Sequence, residues 1–205
     1  MKYKNLLFDL GGVIMDIEKD RCVRAFERLG LRDAPSYFGD YTQSGVFADL
    51  ESGLITPAQF RAALRPGFDR PVTDAQIDDA FTQFLIGIPR HRLEALLELR
   101  RTHRVYLLSN TNPIMWNGFI AKQFEQIDGL KREDYFDGMV TSFEAKCMKP
   151  APEIFDYTAR TLHIEPAETL FFDDSAANCD AARALGWNAA VVAPGSEFTT
   201  IIAGL

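Results

Sequence analysis

The amino-acid sequence predicts an α/β protein, built as a doubly wound, parallel, five-stranded Rossmann-like sheet with an inserted α-helical cap domain. Three observations support this prediction. Short apolar runs alternate with helical patterns through the C-terminal half, which is typical of a parallel sheet with helices on both faces. One further apolar run stands near the N-terminus, and a long, mainly helical segment separates it from the others. We therefore expect a single core that is interrupted after its first strand.

The predicted strands are short runs rich in Leu, Val and Phe, as expected for strands that are buried on both faces. Helical patterns follow around Leu93–Leu97 and after Pro150. A third pattern, Ser175–Leu185, begins on a serine suited to capping and ends before Gly186. The five predicted strands are Tyr3–Asp9, Val105–Ser109, Gly138–Ser142, Thr169–Asp173 and Asn188–Val192.

Residues 16–90 interrupt this alternation, because they contain several helical patterns and no predicted strand. Two of the helices begin with Thr-x-x-Gln capping boxes, Thr56–Gln59 and Thr73–Gln76. The second continues with apolar residues at helical spacing from Ile77 to Leu85. An insertion at this point is well placed to cover the end of the first strand. The predicted domains are a core of residues 1–15 and 91–205 and a helical cap of residues 16–90.

The composition narrows the functional classes. The formal net charge is −7 and no cluster of lysine or arginine offsets it, which argues against a nucleic-acid surface. No apolar stretch has the length of a membrane span, and the first apolar run is too short for a signal peptide. The three cysteines, Cys22, Cys147 and Cys179, lack metal-ligand spacing and are expected to be reduced. We expect a cytoplasmic protein, either a monomer or a homodimer, with no nucleic-acid or membrane partner.

Polar residues stand where the core strands are expected to end. They are Asp9 after the first strand, Ser109 and Asn110 after the second, Lys149 beyond the third, and Asp173 and Asp174 after the fourth. Open α/β sheets bind their ligands at this edge. Taken singly, each signal has a simpler interpretation as a turn, a helix cap or a solvated charge. Together, hard oxygen ligands, a lysine and free backbone N–H groups predict a site for Mg²⁺ and phosphate.

These motifs, in this order and with a helical insertion between the first two, resemble those of the haloacid dehalogenase superfamily of phosphohydrolases. The matching segments are Phe-Asp-Leu-Gly-Gly-Val, Leu-Leu-Ser-Asn, Lys-Pro and Phe-Phe-Asp-Asp-Ser-Ala-Ala-Asn. Within the superfamily, the chain is similar to the sugar-phosphatase branch typified by bacterial α-glucose-1-phosphate phosphatase, and to the phosphatase domain of soluble epoxide hydrolase.

The resemblance implies a Mg²⁺-dependent phosphatase that acts on a small phosphorylated metabolite, in which Asp9 is the nucleophile and forms an aspartyl-phosphate. Lys149 would steady both Asp9 and the charge that develops in the transition state. The implied phosphate-binding groups are Ser109, the Asn110 N–H and Lys149. The implied metal ligands are Asp9, the Gly11 carbonyl and Asp174, with Asp173 bound directly or through water.

The position two residues after Asp9 departs from the superfamily pattern. Most of its phosphatases carry an acid–base Asp there, whereas this chain has Gly11. Because such a group contributes about 10²–10⁴-fold to the rate, we expect substrates whose leaving group departs readily, such as sugar 1-phosphates or aryl phosphates. Asp16, at the start of the cap, is a candidate substitute acid, and a hinge or helix-cap role is the alternative.

The cap is expected to select the substrate. Its candidate tip is Tyr41–Gly53, with Phe47 and Glu51 as candidate substrate contacts. An amphipathic helix followed by a turn is the alternative interpretation of this segment. Two other functions stay open: a protein that binds a phosphorylated ligand with weakened hydrolysis, and a 2-haloacid dehalogenase. The paired Asp173 and Asp174 favour phosphate chemistry over dehalogenation, because the dehalogenases of the superfamily need no metal.

Overall fold

The computed structural model describes residues 3–39 and 43–204. In this part of the chain the strands are β1 (Asn5–Phe8), β2 (Asp16–Ile17), β3 (Leu85–Gly87), β4 (Arg104–Ser109), β5 (Gly138–Thr141), β6 (Thr169–Asp173) and β7 (Asn188–Val191). Five of them form one parallel sheet in the order β5-β4-β1-β6-β7. The predicted fold class is therefore confirmed, and each predicted core strand is present close to its expected bounds.

The central strand β1 is buried on both faces, because helices cover each side of the sheet. On one face Leu6 and Phe8 join the larger apolar core, which continues into the cap. On the other face Leu7 packs in a second core with Phe155 and Phe171. Successive side chains of a strand point to opposite faces, so an uninterrupted apolar run is what a doubly wound sheet requires.

The cap is mainly helical in its described part. Its helices are α1 (Lys19–Leu29), α2 (Val46–Glu51), α3 (Pro57–Leu64) and α4 (Asp74–Thr82). Both predicted capping boxes are formed, at the start of α3 and of α4. A cluster of stacked and edge-on aromatic rings holds these helices together, and its members are Phe26, Phe38, Phe47, Phe60 and Phe81.

The core helices precede or connect the parallel strands, except for the last helix, which follows β7. They are α5 (Arg90–Leu99), α6 (Pro113–Met115), α7 (Ala121–Phe124), α8 (Arg132–Tyr135), α9 (Ser142–Ala145), α10 (Pro152–Leu162), α11 (Ala176–Ala184) and α12 (Phe198–Ala203). A single π-helical turn, Trp116–Ile120, joins α6 to α7. The Ser175 side chain caps α11, as its sequence pattern predicts.

Two short strands correct the expectation that residues 16–90 contain none. β2 and β3 pair antiparallel at the two ends of this segment. Strands of two and three residues are too short to show an alternating pattern, which is why the sequence does not reveal them. Leu85, expected to continue the helical stripe, belongs to β3 because α4 ends at Thr82. The domain limits proposed from the sequence stay a prediction.

Among the described residues, the helices are all too short or too polar to cross a membrane. The three cysteines are free thiols, as expected.

Candidate active site

The order of the strands brings Asp9 next to the acidic pair Asp173 and Asp174. β1 lies between β4 and β6, with Phe8 opposite Phe172. Asp9, directly after β1, therefore lies beside Asp173, the final residue of β6. Ser109 ends the neighbouring strand β4 on the other side. These three residues share the carboxyl edge of the sheet, as the sequence predicts.

The ammonium group of Lys149 lies between two carboxylates. Its Nζ donates to Asp9 Oδ1 at 2.8 Å, to Asp173 Oδ2 at 2.7 Å and to the Leu108 carbonyl at 3.1 Å. The side chain is only 1% exposed. Burial alone would lower the pKa of Lys149, but the charges of Asp173 and Asp9 outweigh it and raise that pKa. Lys149 therefore stays charged, with all three of its N–H groups bonded.

The two adjacent acids, Asp173 and Asp174, have different surroundings. Asp173 is fully buried, and its Oδ1 accepts hydrogen bonds from the Ser175 N–H and from Asn178 Nδ2, each at 2.9 Å. Both of its oxygens are thus engaged by protein donors, which favours an orienting role for Asp173. Asp174 is half-buried and faces a cavity together with Asp9.

Asp9, Asp173 and Asp174 form the cluster that is best suited to a cation. One oxygen of each lies within 4.8 Å of the others. Burial is the main cause that raises the pKa of Asp9 to about 8; the charges of Asp173 and Asp174 also raise it, and Lys149 acts in the opposite direction. Burial, followed by the charge of Asp173, raises the pKa of Asp174 to about 6. Three crowded carboxylates share a single ammonium group, so this hard-oxygen donor set fits Mg²⁺.

Asp9 uses one carboxylate oxygen for contacts and keeps the other available. Oδ1 accepts from Lys149 and from the Leu10 N–H at 2.7 Å. Within the described parts of the chain, Oδ2 has no hydrogen-bond donor. This asymmetry leaves a defined oxygen for attack on an electrophile in the cavity.

Asn110 holds the backbone of Lys149 in place. Its Nδ2 donates to the Lys149 carbonyl, and its Oδ1 accepts from the Lys149 N–H, both at 2.9 Å. Ser109 is buried at the end of β4, where its hydroxyl makes only a weak contact of 3.4 Å with the Asn110 carbonyl. The Ser109 hydroxyl and the Asn110 N–H remain predicted phosphate ligands.

A cavity of about 80 Å³ opens onto this cluster and is closed from above by the cap. Its core-side lining is Asp9, Gly11, Asn110, Lys149, Asp174 and Asn178, and its cap-side lining is Ile17, Gln43, Glu51 and Phe84. A second cavity of about 50 Å³ adjoins it and is mainly apolar, with Leu10, Met15, Phe81, Met115 and Ile120 in its wall. Glu51 and Gln43 line both cavities.

The residues proposed from the cap sequence fall in different places. Glu51 reaches the cavity, whereas Phe47 is fully buried in the aromatic cluster of the cap, which favours the packing alternative for Phe47. Asp16, in β2, accepts a hydrogen bond of 2.8 Å from Arg92 Nη1. It is not among the described residues that line either cavity. This placement favours the hinge alternative for Asp16. Tyr41 and Thr42, in the proposed tip, lie outside the described residues.

Three contributors to the site carry no sequence signal. Gln43 lines the cavity, and its buried Oε1 has no hydrogen-bond partner in the described structure. Ser142 Oγ donates to the Glu51 carbonyl at 2.7 Å and so joins the cap to the core. Arg92 connects Asp16 to Glu197. Single Gln, Ser and Arg residues recur throughout the chain, so only their spatial neighbours distinguish these three.

The parallel sheet, the inserted cap and the Asp–Lys–Asp arrangement at the carboxyl edge define a haloacid dehalogenase-like hydrolase. The family model described as "haloacid dehalogenase-like hydrolase" matches residues 3–186, and the chain belongs to this family. The resemblance seen in the four motifs is thereby confirmed.

The chain is similar to named sugar and polyol phosphate phosphatases within this family. D-ribitol-5-phosphate phosphatase of Bacteroides thetaiotaomicron is 39% identical over 184 residues, which cover 90% of this chain and 89% of that protein. Fructose-1-phosphate phosphatase of Escherichia coli is 36% identical, covering 92% of this chain and 95% of that protein. A family enzyme from Bacteroides thetaiotaomicron, solved with magnesium and inorganic phosphate, has a TM-score of 0.90 at 40% identity and covers 97% of this chain and 98% of its own.

Proposed function

We propose that the protein is a Mg²⁺-dependent phosphatase that hydrolyses a small sugar or polyol phosphate through an aspartyl-phosphate on Asp9. The observation that carries this proposal is the position of Asp9, held through Oδ1 by Lys149 while Oδ2 stays available in the cavity. The named relatives, phosphatases of D-ribitol 5-phosphate and fructose 1-phosphate, support the same substrate class.

Asp9, Asp174 and the Gly11 carbonyl would hold the cation, because all three residues line the same cavity. Bound there, Mg²⁺ would offset the negative charge of the phosphate and of the carboxylates around it. Asp9 Oδ2 would attack phosphorus. Lys149 lowers the pKa of Asp9 and orients its carboxylate through Oδ1, and a cation bound beside Asp9 would favour the ionised form that attack requires. Ser109 and the Asn110 N–H would bind phosphate oxygens, and water would later release phosphate from Asp9.

The assay that tests this proposal is phosphate release with and without Mg²⁺. The substrates are D-ribitol 5-phosphate, fructose 1-phosphate, glucose 1-phosphate and glucose 6-phosphate, with Asp9→Asn as the matched inactive variant. We expect activity on at least one of them that a chelator abolishes and that Asp9→Asn lacks. Turnover that survives either change would contradict the proposal, and tight phosphate binding without turnover would favour a ligand-binding role.

The expectation drawn from Gly11 is tested in the same assay. If no residue supplies a proton to the leaving group, glucose 1-phosphate should be hydrolysed much faster than glucose 6-phosphate, because its hemiacetal oxygen is the better leaving group. Similar rates on both would mean that another side chain provides the proton.

The proposed cellular setting follows from composition. An acidic chain with three free cysteines suits a metabolic enzyme of the cytoplasm, acting as a monomer or homodimer.

A further inference from the structure

We propose that Glu51, on the cap, is the general acid–base of this phosphatase, supplying the proton transfer that Gly11 cannot. This inference rests on the proposed function and assigns to the cap a chemical step as well as substrate selection.

The cavity offers few groups that could carry this proton. Its titratable lining residues, within the described chain, are Asp9, Glu51, Lys149 and Asp174. Asp9 is the nucleophile, Asp174 belongs to the cation cluster, and Lys149 is held by two carboxylates and a carbonyl. Glu51 is the remaining one, and it has no other evident task in the reaction.

Glu51 and the predicted reacting groups line one cavity. Glu51 stands in its cap wall, and Asp9, Lys149 and Asp174 stand in its core wall. In a phosphoryl transfer the attacking and leaving oxygens lie roughly in line across phosphorus. A phosphate ester attacked by Asp9 would therefore direct its leaving oxygen away from the core, toward the cap wall that carries Glu51.

The Glu51 carboxyl group is buried and has no hydrogen-bond or ion-pair partner among the described residues. Glu51 is 8% exposed, and its side chain makes no hydrogen bond or ion pair with the described residues. A buried carboxyl without a partner is costly, so its retention calls for a partner that arrives with the substrate. Burial raises the pKa of Glu51 to about 8, which keeps the group protonated and ready to donate at neutral pH.

The groups that face Glu51 do not replace it. The Cys22 thiol, on α1, faces it from within the cap; burial and then the charge of Glu51 raise the pKa of that thiol. Asp9, Lys149 and Asp174 share the cavity from the core side. A thiol whose pKa is raised is a poor donor at neutral pH, which leaves the carboxyl as the proton source.

The backbone of Glu51 is fixed to the phosphate-binding side of the core. Ser142 Oγ donates to the Glu51 carbonyl at 2.7 Å and accepts from the Thr111 N–H at 3.0 Å. Thr111 follows Ser109 and Asn110 directly in the chain. Two residues beyond Glu51, the Gly53 carbonyl accepts from Lys146 Nζ at 2.5 Å. This bridge holds the end of α2, which carries Glu51, against the segment of the predicted phosphate ligands.

The proton balance is complete within the protein and substrate. As Asp9 Oδ2 bonds to phosphorus, the bond from phosphorus to the leaving oxygen breaks and the Glu51 proton moves to that oxygen, releasing the alcohol. The Glu51 carboxylate then takes a proton from water as the water oxygen attacks phosphorus and the Asp9–phosphorus bond breaks. Phosphate leaves, Asp9 is again a carboxylate, and Glu51 is again protonated.

The test compares leaving groups in Glu51→Gln, with Asp49→Asn on the same helix as the control that removes a carboxyl outside the cavity. On an alkyl or sugar phosphate that the wild type hydrolyses, kcat/KM should fall by about 10²–10⁴-fold in Glu51→Gln. On p-nitrophenyl phosphate, whose leaving group needs no proton, kcat/KM should stay within about threefold. Because hydrolysis of the aspartyl-phosphate lacks its base, p-nitrophenol should appear in a burst of one equivalent per enzyme.

Other outcomes would overturn the assignment. An equal loss of kcat/KM on both substrates would indicate structural damage, and a rise of KM alone would make Glu51 a hydroxyl ligand. A melting curve checks folding. Glu51→Asp, which keeps the carboxyl, should show a smaller loss with the wild-type dependence on the leaving group. If the wild type hydrolyses no phosphate ester, or Asp9→Asn stays active, the proposed function itself fails; an active wild type with an unchanged Glu51→Gln defeats only this inference.

Discussion

A Cβ atom on Gly12 would lie 2.2 Å from Oδ2 of Asp174. The backbone of the loop after β1 therefore packs directly against the Asp174 carboxylate, at a position where only glycine fits. Gly12 also has a φ of +73°, in the left-handed region that favours glycine. Its absent side chain lets the Asp174 carboxylate approach Asp9. Gly12 thus allows both the backbone conformation of the turn and the close position of Asp174 in the cation cluster.

Gly12→Ala should therefore weaken Mg²⁺ binding, because the new methyl group must displace the Asp174 carboxylate. We expect at least a tenfold rise in the Mg²⁺ dissociation constant, measured by titration calorimetry, of the order seen when groups that orient metal ligands are altered, about 10–100-fold. Gly195→Ala is the matched control, since Gly195 has a φ of +77° but no atom within 4 Å of the added Cβ. Equal affinities in the two variants would show that Asp174 does not hold the cation.

Asp173 holds Lys149 in position, and Asp173→Asn tests this role. The variant keeps the shape of the side chain but removes the charge that pairs with a buried ammonium. We expect the free energy of unfolding to fall by about 3 kcal/mol or more, as when one partner of a buried pair is lost, together with a large drop in kcat. Urea denaturation and steady-state assays measure the two effects.

Asp137→Asn provides the comparison for that variant. Asp137 is likewise a carboxylate held by cations: it pairs with Arg100 and Arg104 and accepts a hydrogen bond from the Val105 N–H. Unlike those of Asp173, its ion pairs are not with Lys149. It should lose stability while keeping its activity. If Asp173→Asn behaved in the same way, Lys149 would not depend on Asp173 for its catalytic orientation.

The core and its catalytic edge were predictable because their signals are local. A buried parallel strand is a short apolar run, and a polar residue at its end is visible without knowing the fold. Asp9, Lys149, Asp173 and Asp174 could therefore be placed on one sheet edge from strand alternation, and the structure places them there.

The cap contribution was less predictable, since it depends on which side chains are left without partners in three dimensions. Glu51 and Phe47 stand on the same short helix, yet one lines the cavity and the other packs among phenylalanines. From the sequence, both residues are candidate substrate contacts on residue type alone. Likewise, the sequence makes Asp16 a candidate substitute acid, but in the structure its carboxylate is paired with Arg92.

Arg92 links Asp16, at the start of the proposed cap, to Glu197, beside α12, and its removal should lower stability. It donates through Nη1 to Asp16 Oδ1 and, with two parallel hydrogen bonds of 2.8 and 2.9 Å, to Glu197. We expect Arg92→Met to lower the free energy of unfolding by about 2 kcal/mol, less than for a fully buried pair because both carboxylates are partly exposed.

Asp16→Asn tests the hinge interpretation from the other side. It should lower stability less than Arg92→Met, since the Glu197 pair remains. Any change in kcat/KM relative to the wild type should be the same for alkyl and aryl phosphates, whereas Glu51→Gln should lose kcat/KM mainly on alkyl phosphates. A selective loss on alkyl phosphates would make Asp16 the acid and contradict the hinge assignment.

Glu51 should also make stability depend on pH in a direction opposite to that of an ordinary salt-bridged carboxyl. Burial raises the pKa of Glu51 from 4.5 to about 8, so between these values the folded state binds a proton that the unfolded state has released. The stability associated with this protonated group is complete below pH 4.5 and is lost as the pH rises to about 8. Glu51→Gln removes the titration, so its stability relative to the wild type should increase across this range by up to about 1.4 kcal/mol per pH unit and level off above it.

Urea denaturation at a series of pH values, with a chelator present to keep both proteins metal-free, measures the difference. Glu125→Gln, which removes a carboxyl group at an exposed site, serves as the matched control. A constant difference for Glu51→Gln would mean that Glu51 is ionised throughout and is not the proton donor of the cavity.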